Sequence, residues 1–262
     1  MISFRRIVLA SLLAGINFSA VAQNYPTGPV RVIVPFPAGG GVDSAGRLLA
    51  TRLSESFAKS FVIENRGGAN GNIGTEVVAK SAKDGYTLLF TGAGLVTNPS
   101  LYARVPYDAV KDFDAISLMA LGPNVLVVHP SLPVKSVKDL ISLAKSRPEA
   151  VGFAGSGSGS TPHLAGELFQ LMSGARWTHV PFKGAAPAAI AVMSGEVDFS
   201  FGSTNALMEP SRHGKVRAIG VTGARRFNQL PQVPTIAESG VPGYLAVGWY
   251  GWYAPASLPS DL

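Results

Sequence analysis

Two glycine-rich stretches, more than a hundred residues apart, each join a short apolar run to a helical pattern, and they restrict the possible folds more than anything else in the chain. In the first, Pro35-Phe36-Pro37-Ala38 leads into Gly39-Gly40-Gly41, then Val42 and Asp43, an acid well placed to cap a helix. In the second, Val151-Gly152-Phe153-Ala154 leads into Gly155-Ser156-Gly157-Ser158-Gly159-Ser160-Thr161-Pro162-His163, with Pro162 where a first helical turn tolerates it. A strand that turns directly into a helix leaves a ring of unpaired N–H groups open to an anion. Two such junctions predict one small acidic ligand held between two lobes.

The rest of the chain alternates β-branched runs with helical spacing, the signature of βα units around a largely parallel sheet. Strands are expected over residues 30–35, 61–64, 87–91, 115–121, 124–129, 152–154, 177–181, 197–201 and 216–221. Helices are expected over residues 43–58, 71–81, 136–145, 161–173, 186–194 and 205–213. Two strand patterns abut at Gly122-Pro123 with almost nothing between them, which predicts a crossing from one lobe to the other. Pro231, Pro234, Gly240, Pro242 and Gly243 break any regular pattern and mark the return. Lobe one is then residues 23–122 with 244–262, and lobe two is residues 123–243.

The N-terminus reads as an export signal over residues 1–22: Arg5 and Arg6, an apolar stretch to Ile16, then Ser19-Ala20-Val21-Ala22 with small residues at a cleavage site. The mature chain begins at Gln23 on this reading and lies outside the cytoplasm. Cysteine is absent from the sequence, which excludes disulfides and thiolate metal sites. Loss of Arg5 and Arg6 with the acid-free leader lowers the formal charge from +6 to +4. The basic residues are scattered rather than clustered with aromatics, so nucleic acid is not an expected partner.

Enzymatic motifs fail in register. A nucleophile elbow needs Gly-x-Ser-x-Gly, yet Gly155-Ser156-Gly157-Ser158-Gly159 puts Gly157 where the serine belongs. A dinucleotide fingerprint needs a third glycine where Ser160 stands, and no acid ends the strand at Val180-Pro181. His129, His163, His179 and His213 are isolated from one another along the sequence, which gives no metal site and no resident cofactor. Ser158, Ser160 and Thr161 can donate to a carboxylate. His163 suits facing the ligand and capping the helix equally, Lys183 suits either ligand or solvent, and Phe36, Phe182, Trp249 and Trp252 are expected in the core.

These segments, in this order, resemble the Bug (TctC-type) extracytoplasmic solute receptors of tripartite tricarboxylate transporters. The resemblance runs from Tyr25 to the last residues. It rests on Val30-Arg31-Val32-Ile33-Val34-Pro35-Phe36 with the first glycine loop, Val62-Ile63-Glu64-Asn65-Arg66, Gly68-Ala69-Asn70-Gly71-Asn72-Ile73-Gly74, and Asp84-Gly85-Tyr86-Thr87-Leu88-Leu89. Ser158 to Leu164, Val180-Pro181-Phe182-Lys183-Gly184 and Gly195-Glu196-Val197-Asp198 complete it. It implies a two-lobed periplasmic-binding-protein fold, type II-like, each lobe a mostly parallel sheet flanked by helices. The implied function is non-catalytic: a monomer closes on a small mono-, di- or tricarboxylate and touches membrane transporter subunits transiently. A secreted enzyme using the same cleft, or a sensory module facing a membrane kinase, are the alternatives.

Carried over residue by residue, the resemblance implies carboxylate contacts at Ala38, Gly39, Gly40, Val42 and Asp43, and at Ser158, Ser160, Thr161 and His163. Gly92, Ala93, Lys183, Gly184, Gly202 and Ser203 line the rest of the implied cleft. Val42 lacks the hydroxyl that relatives often carry there, and Ala185 is small. Relatives continue past Leu262 with a helical segment that packs on lobe one, so the resemblance leaves that lobe short of its full cover.

Overall fold

The computed structural model describes residues 25–259, so the expected export signal lies outside the described residues. The first sheet is built on β1 (Val30–Val34), which pairs in parallel with β2 (Phe61–Asn65) on one side and with β3 (Thr87–Gly92) on the other. Both β1 and β3 are buried almost throughout, as their unbroken apolar runs require when helices cover both faces of a sheet. α1 (Gly41–Phe57) packs one face, and α2 (Asn72–Ala79) and α3 (Gly94–Leu101) lie on the other. Phe90, Trp252 and Val32 fill the first interface, whereas Ile33, Leu89, Leu95 and Tyr107 fill the second.

β4 (Phe113–Val128) is one strand of 16 residues where sequence reading expected two, roughly 50 Å long at the usual rise. Its first part pairs antiparallel with β9 (Val247–Pro255), from Phe113 against Pro255 to Pro123 against Val247. Its last part, from Asn124 onward, pairs instead with β7 (Phe199–Ser203) and β8 (Arg217–Val221). The ladder partner therefore changes between Pro123 and Asn124, where a missing N–H and a change of face are tolerated together. Two register shifts, at Ala115/Ser117 and Leu118/Ala120, add twist to the crossing.

The second sheet continues through β7 to β5 (Gly152–Gly155) and β6 (Thr178–Pro181), all parallel. α4 (Val137–Ser146) and α5 (Thr161–Ser173) cover one face around Leu140, Phe153 and Phe169. α6 (Ala185–Met193) and α7 (Thr204–Arg212) cover the other around Ala188, Val192 and Leu207. The path of strands is β2-β1-β3-β9-β4-β7-β5-β6, with β8 on β4. Neither sheet is mostly parallel: the parallel pairs lie toward the outer strands, and every pair involving β4 or β9 is antiparallel, because those strands run between the lobes in opposite directions.

Candidate functional site

Five strands, β1, β3, β5, β6 and β7, each hand the chain to a helix whose start borders the same cleft. The N-cap residues of those helices are Gly40 for α1, Ala93 for α3, Ser160 for α5, Gly184 for α6 and Ser203 for α7. All five line one cleft of about 400 Å³. Ala120 to Asn124 of β4 and Gly248 and Tyr250 of β9 line it as well. No Asp, Glu, Lys, Arg or His is among the described lining residues. Positive potential in the cleft therefore comes from the partial charge at helix N-termini rather than from side chains.

The N-terminus of α1 is open. The first intrahelical bond runs from Ser44 N–H to the Gly40 carbonyl, so Gly41 and Val42 have N–H groups ahead of the ladder. Gly41 is also where the lobes meet. A Cβ there would stand 2.7 Å from the Tyr250 hydroxyl and 3.0 Å from both Cβ and Oγ of Ser203, closer than heavy atoms pack. Only glycine allows this approach. Burial raises the Tyr250 pKa, which keeps its phenol a neutral donor.

Both glycine loops are braced in the same way. Gly39, at φ +83°, donates its N–H to Oδ2 of Asp43 at 2.9 Å, and Gly159, at φ +82°, donates to Nδ1 of His163 at 3.0 Å. In each loop the acceptor is four residues on, in the first turn of the helix that the loop opens. Asp43 is therefore not the N-cap, which is Gly40. Its carboxylate also accepts from Arg47 Nε at 3.0 Å and Asn65 Nδ2 at 2.9 Å. Burial pushes the Asp43 carboxyl up, but hydrogen bonds from Arg47, Gly39 and Asn65 outweigh it and hold the group below the usual carboxylate range. An acid beside the cleft is thus turned inward and engaged on both oxygens.

Of the residues singled out from the sequence, Ala38, Gly40, Val42, Gly92, Ala93, Ser160, Thr161, Gly184 and Ser203 line the cleft. Gly39, Asp43, Ser158, His163, Lys183 and Gly202 do not. Gly39, Asp43 and His163 are taken up by the loop braces, and Ser158 and Lys183 are exposed. Gly202 is interior to β7, where a Cβ would lie 2.6 Å from Leu207. Phe36, expected in the core, is a cleft wall, whereas Trp252 is buried as expected.

Sequence reading missed Asn70, Asn124 and Tyr250 in the lining. Asn70 had a local signal, since its φ of 51° is the left-handed conformation for which Asn is favoured beside glycines. Its side chain donates to Asn98 Oδ1 at 2.8 Å, and Asn98 Nδ2 in turn reaches the Asn70 carbonyl and Asn72 Oδ1. Ser203 Oγ, Asn124 Nδ2 and Asn70 Oδ1 are buried without a hydrogen-bond partner among the described residues. Unpaired buried polar atoms are rare, and each calls for an explanation such as a ligand or an ordered water.

The expected isolation of the histidines does not hold in space. His163 and His179 stack with centroids 4.2 Å apart, and with Glu167 they bring possible ligand atoms within 4.8 Å of one another. The cluster does not suit a metal. Nδ1 of His163 accepts from Gly159, which fixes the proton on Nε2 and leaves that nitrogen without a lone pair.

Two α/β lobes joined by crossing strands, with the N-termini of five helices turned onto one uncharged cleft, define a solute-binding protein of the periplasmic type. The family model described as tripartite tricarboxylate transporter family receptor matches residues 45–262. The chain is 41% identical over 244 residues to Protein BugT of Bordetella pertussis (strain Tohama I), an alignment covering 92% of this chain and 75% of that one. It superposes on Rpa4515 of R. palustris, solved with adipate, with a TM-score of 0.88 and 42% identity over 90% of this chain and 80% of that one. MatC (Rpa3494) from Rhodopseudomonas palustris, with bound malate, gives a TM-score of 0.83 and 31% identity, covering 90% of this chain and 80% of that one. The protein belongs to the tripartite tricarboxylate transporter receptor family.

Proposed function

We propose that this protein captures a small carboxylate in the periplasm and passes it to the membrane subunits of a tripartite tricarboxylate-type transporter, acting as a monomer and without catalysis. One observation carries the reading: five helix N-termini converge on a cleft that holds no charged side chain. A helix terminus contributes about 0.3 to 2 kcal/mol toward an anion, and a hydrogen bond to a charged group about 1.5 to 3 kcal/mol. Several together reach the roughly 8 kcal/mol of a micromolar site after the cost of immobilising the ligand, so no arginine clamp is needed.

The ligand contacts on this reading come from Ala38, Gly40, Val42, Gly92, Ala93, Ser160, Thr161, Gly184 and Ser203, with Asn70, Asn124 and Tyr250 added. The lobes divide at Gly122-Pro123 and again ahead of β9, and hinge closure brings the two glycine loops onto the ligand. The leader at residues 1–22 delivers the chain to the periplasm. Among the described residues no histidine or carboxylate side chain hydrogen-bonds the hydroxyl of Ser160 or Ser203, which supports binding over hydrolysis. Among the described residues no helix is long and apolar enough to cross a membrane.

The test is a thermal-shift screen of the purified protein against mono-, di- and tricarboxylates, including adipate and malate. A ligand at a hundred times its Kd stabilises the folded state by about 2.7 kcal/mol. Silence across the panel, from protein shown to be folded, would overturn the reading.

A further inference from the structure

Gly159 occupies the seam between the lobes. A Cβ on it would stand 2.5 Å from Leu101 Cδ1 and 3.0 Å from Asn70 Nδ2, both in lobe one, and its carbonyl accepts from Thr97 Oγ1 at 3.4 Å. The next residue, Ser160, caps α5 and lines the cleft. Movement of Gly159 therefore alters a cross-lobe contact and one of the five helix N-termini together. What holds Gly159 from the other side is the ring of His163, through the 3.0 Å bond from the Gly159 N–H to Nδ1.

That bond exists in only one protonation state. An Nδ1 that accepts carries no proton, so the neutral ring has its proton on Nε2, 3.5 Å from Glu167 Oε1. Glu167, on α5 itself, and His179, stacked on the ring from β6, are the titratable groups that face it. We infer that His163 is a positioning residue for ligand capture: its unprotonated Nδ1 fixes the Gly159 loop against lobe one, and protonation of the ring releases the loop and weakens binding. A protonated imidazole has two donors and no acceptor, so Nδ1–H would face the Gly159 N–H donor to donor. The new positive charge gives the bound anion little in return, because the Glu167 carboxylate takes it up. Burial lowers the His163 pKa, so the loop is held at neutral pH and released in acid.

The effect on affinity rests on the carboxylate-receptor reading, whereas the loop brace does not, and the experiment separates them. In ¹⁵N-labelled full-length mature protein titrated from pH 8 to 5 by NMR, His163 should show the Nε2–H tautomer at high pH. As it protonates, the Gly159 amide and the Asn70 side-chain amide should shift with the same midpoint. His163→Asn places an oxygen acceptor close to the Nδ1 position without a titrating ring, and there the Gly159 amide should stay flat. With adipate and malate as probes, wild-type affinity should fall as pH drops from 7.5 through the folded His163 value, by up to about tenfold once the ring is fully protonated, the loss of one such bond, and by less than twofold over the same range in His163→Asn. A Gly159 amide indifferent to His163 protonation, or a His163→Asn variant that loses affinity in acid as the wild type does, overturns the inference. Absence of binding by any carboxylate at pH 7.5 overturns the receptor reading instead, and the Gly159 titration still decides the brace.

Discussion

Ser203, the last residue of β7, lies directly against Gly41, the first of α1, so that a Cβ on Gly41 would meet its Cβ and Oγ at 3.0 Å. On the hinge-closure reading proposed above, this pair limits how far the two lobes can close, because one residue lies on each side of the cleft and both border it. A side chain on Gly41 would force Ser203 or the Tyr250 hydroxyl to shift.

Gly41→Val should therefore hold the lobes apart. The overpacked seam costs about 1 to 3 kcal/mol, and it is felt mainly in the closed, ligand-bound state. Calorimetry should show weaker carboxylate binding by that amount, and small-angle scattering with saturating ligand should show a larger radius of gyration than for the wild type. Unchanged affinity with a compact bound state would refute the role given to this contact.

Ser203→Asp separates binding from stability. Ser203 is the N-cap of α7, where an acidic side chain gains about 0.3 to 1 kcal/mol from the helix terminus. The same carboxylate would occupy the anion cleft and repel a ligand of like charge. The melting temperature should hold or rise, while any shift that a carboxylate induces in the wild type disappears.

Asp43→Ala should destabilise the folded protein by about 1 to 3 kcal/mol, since Gly39 and Asn65 lose a buried acceptor. The folded carboxyl titrates below its ordinary 3.8, so the native state binds fewer protons than the unfolded chain there. Its contribution is present above that pH and is lost as pH falls through the folded value. Urea unfolding at pH 7 and near pH 3 should show a smaller wild-type advantage over Asp43→Ala at the lower pH.

His179 gives a second window in acid. Burial, and then the neighbouring His163, lower its pKa from an ordinary 6.5 to about 4. A histidine held neutral by the fold stabilises fully above pH 6.5, and that contribution drains away as pH falls toward 4. His179→Phe keeps an aromatic ring beside Phe153 and removes the titration. Melting temperatures followed from pH 7 to 4 should decline less steeply in His179→Phe than in the wild type.

Amino-acid order alone was sufficient for the features that depend on a few neighbouring residues. The left-handed glycines at 39 and 159, the cap at Ser160 and the apolar runs of β1 and β3 follow from local backbone preference and burial pattern, so both glycine loops and most helices were legible. Family resemblance added Gly92, Ala93, Gly184 and Ser203 to the lining. Contacts between distant segments decided the remainder. β9 carries strand-forming aromatics, but its glycines break the alternation, and it takes its place by pairing with β3 and β4; that pairing delivers Tyr250 to Gly41. β4 reads as two strands because Gly122-Pro123 interrupts the pattern, and it is continuous because two different sheets complete its hydrogen bonds on either side of Asn124. Asp43 and His163 were legible as polar residues at helix starts, but whether each faced a ligand or its own loop depended on tertiary partners: Asn65 beside one and His179 beside the other. A side chain's direction is set by its neighbours in the folded state, and these two, a hydrogen-bond donor and a stacked ring, lie 22 and 16 residues away along the chain.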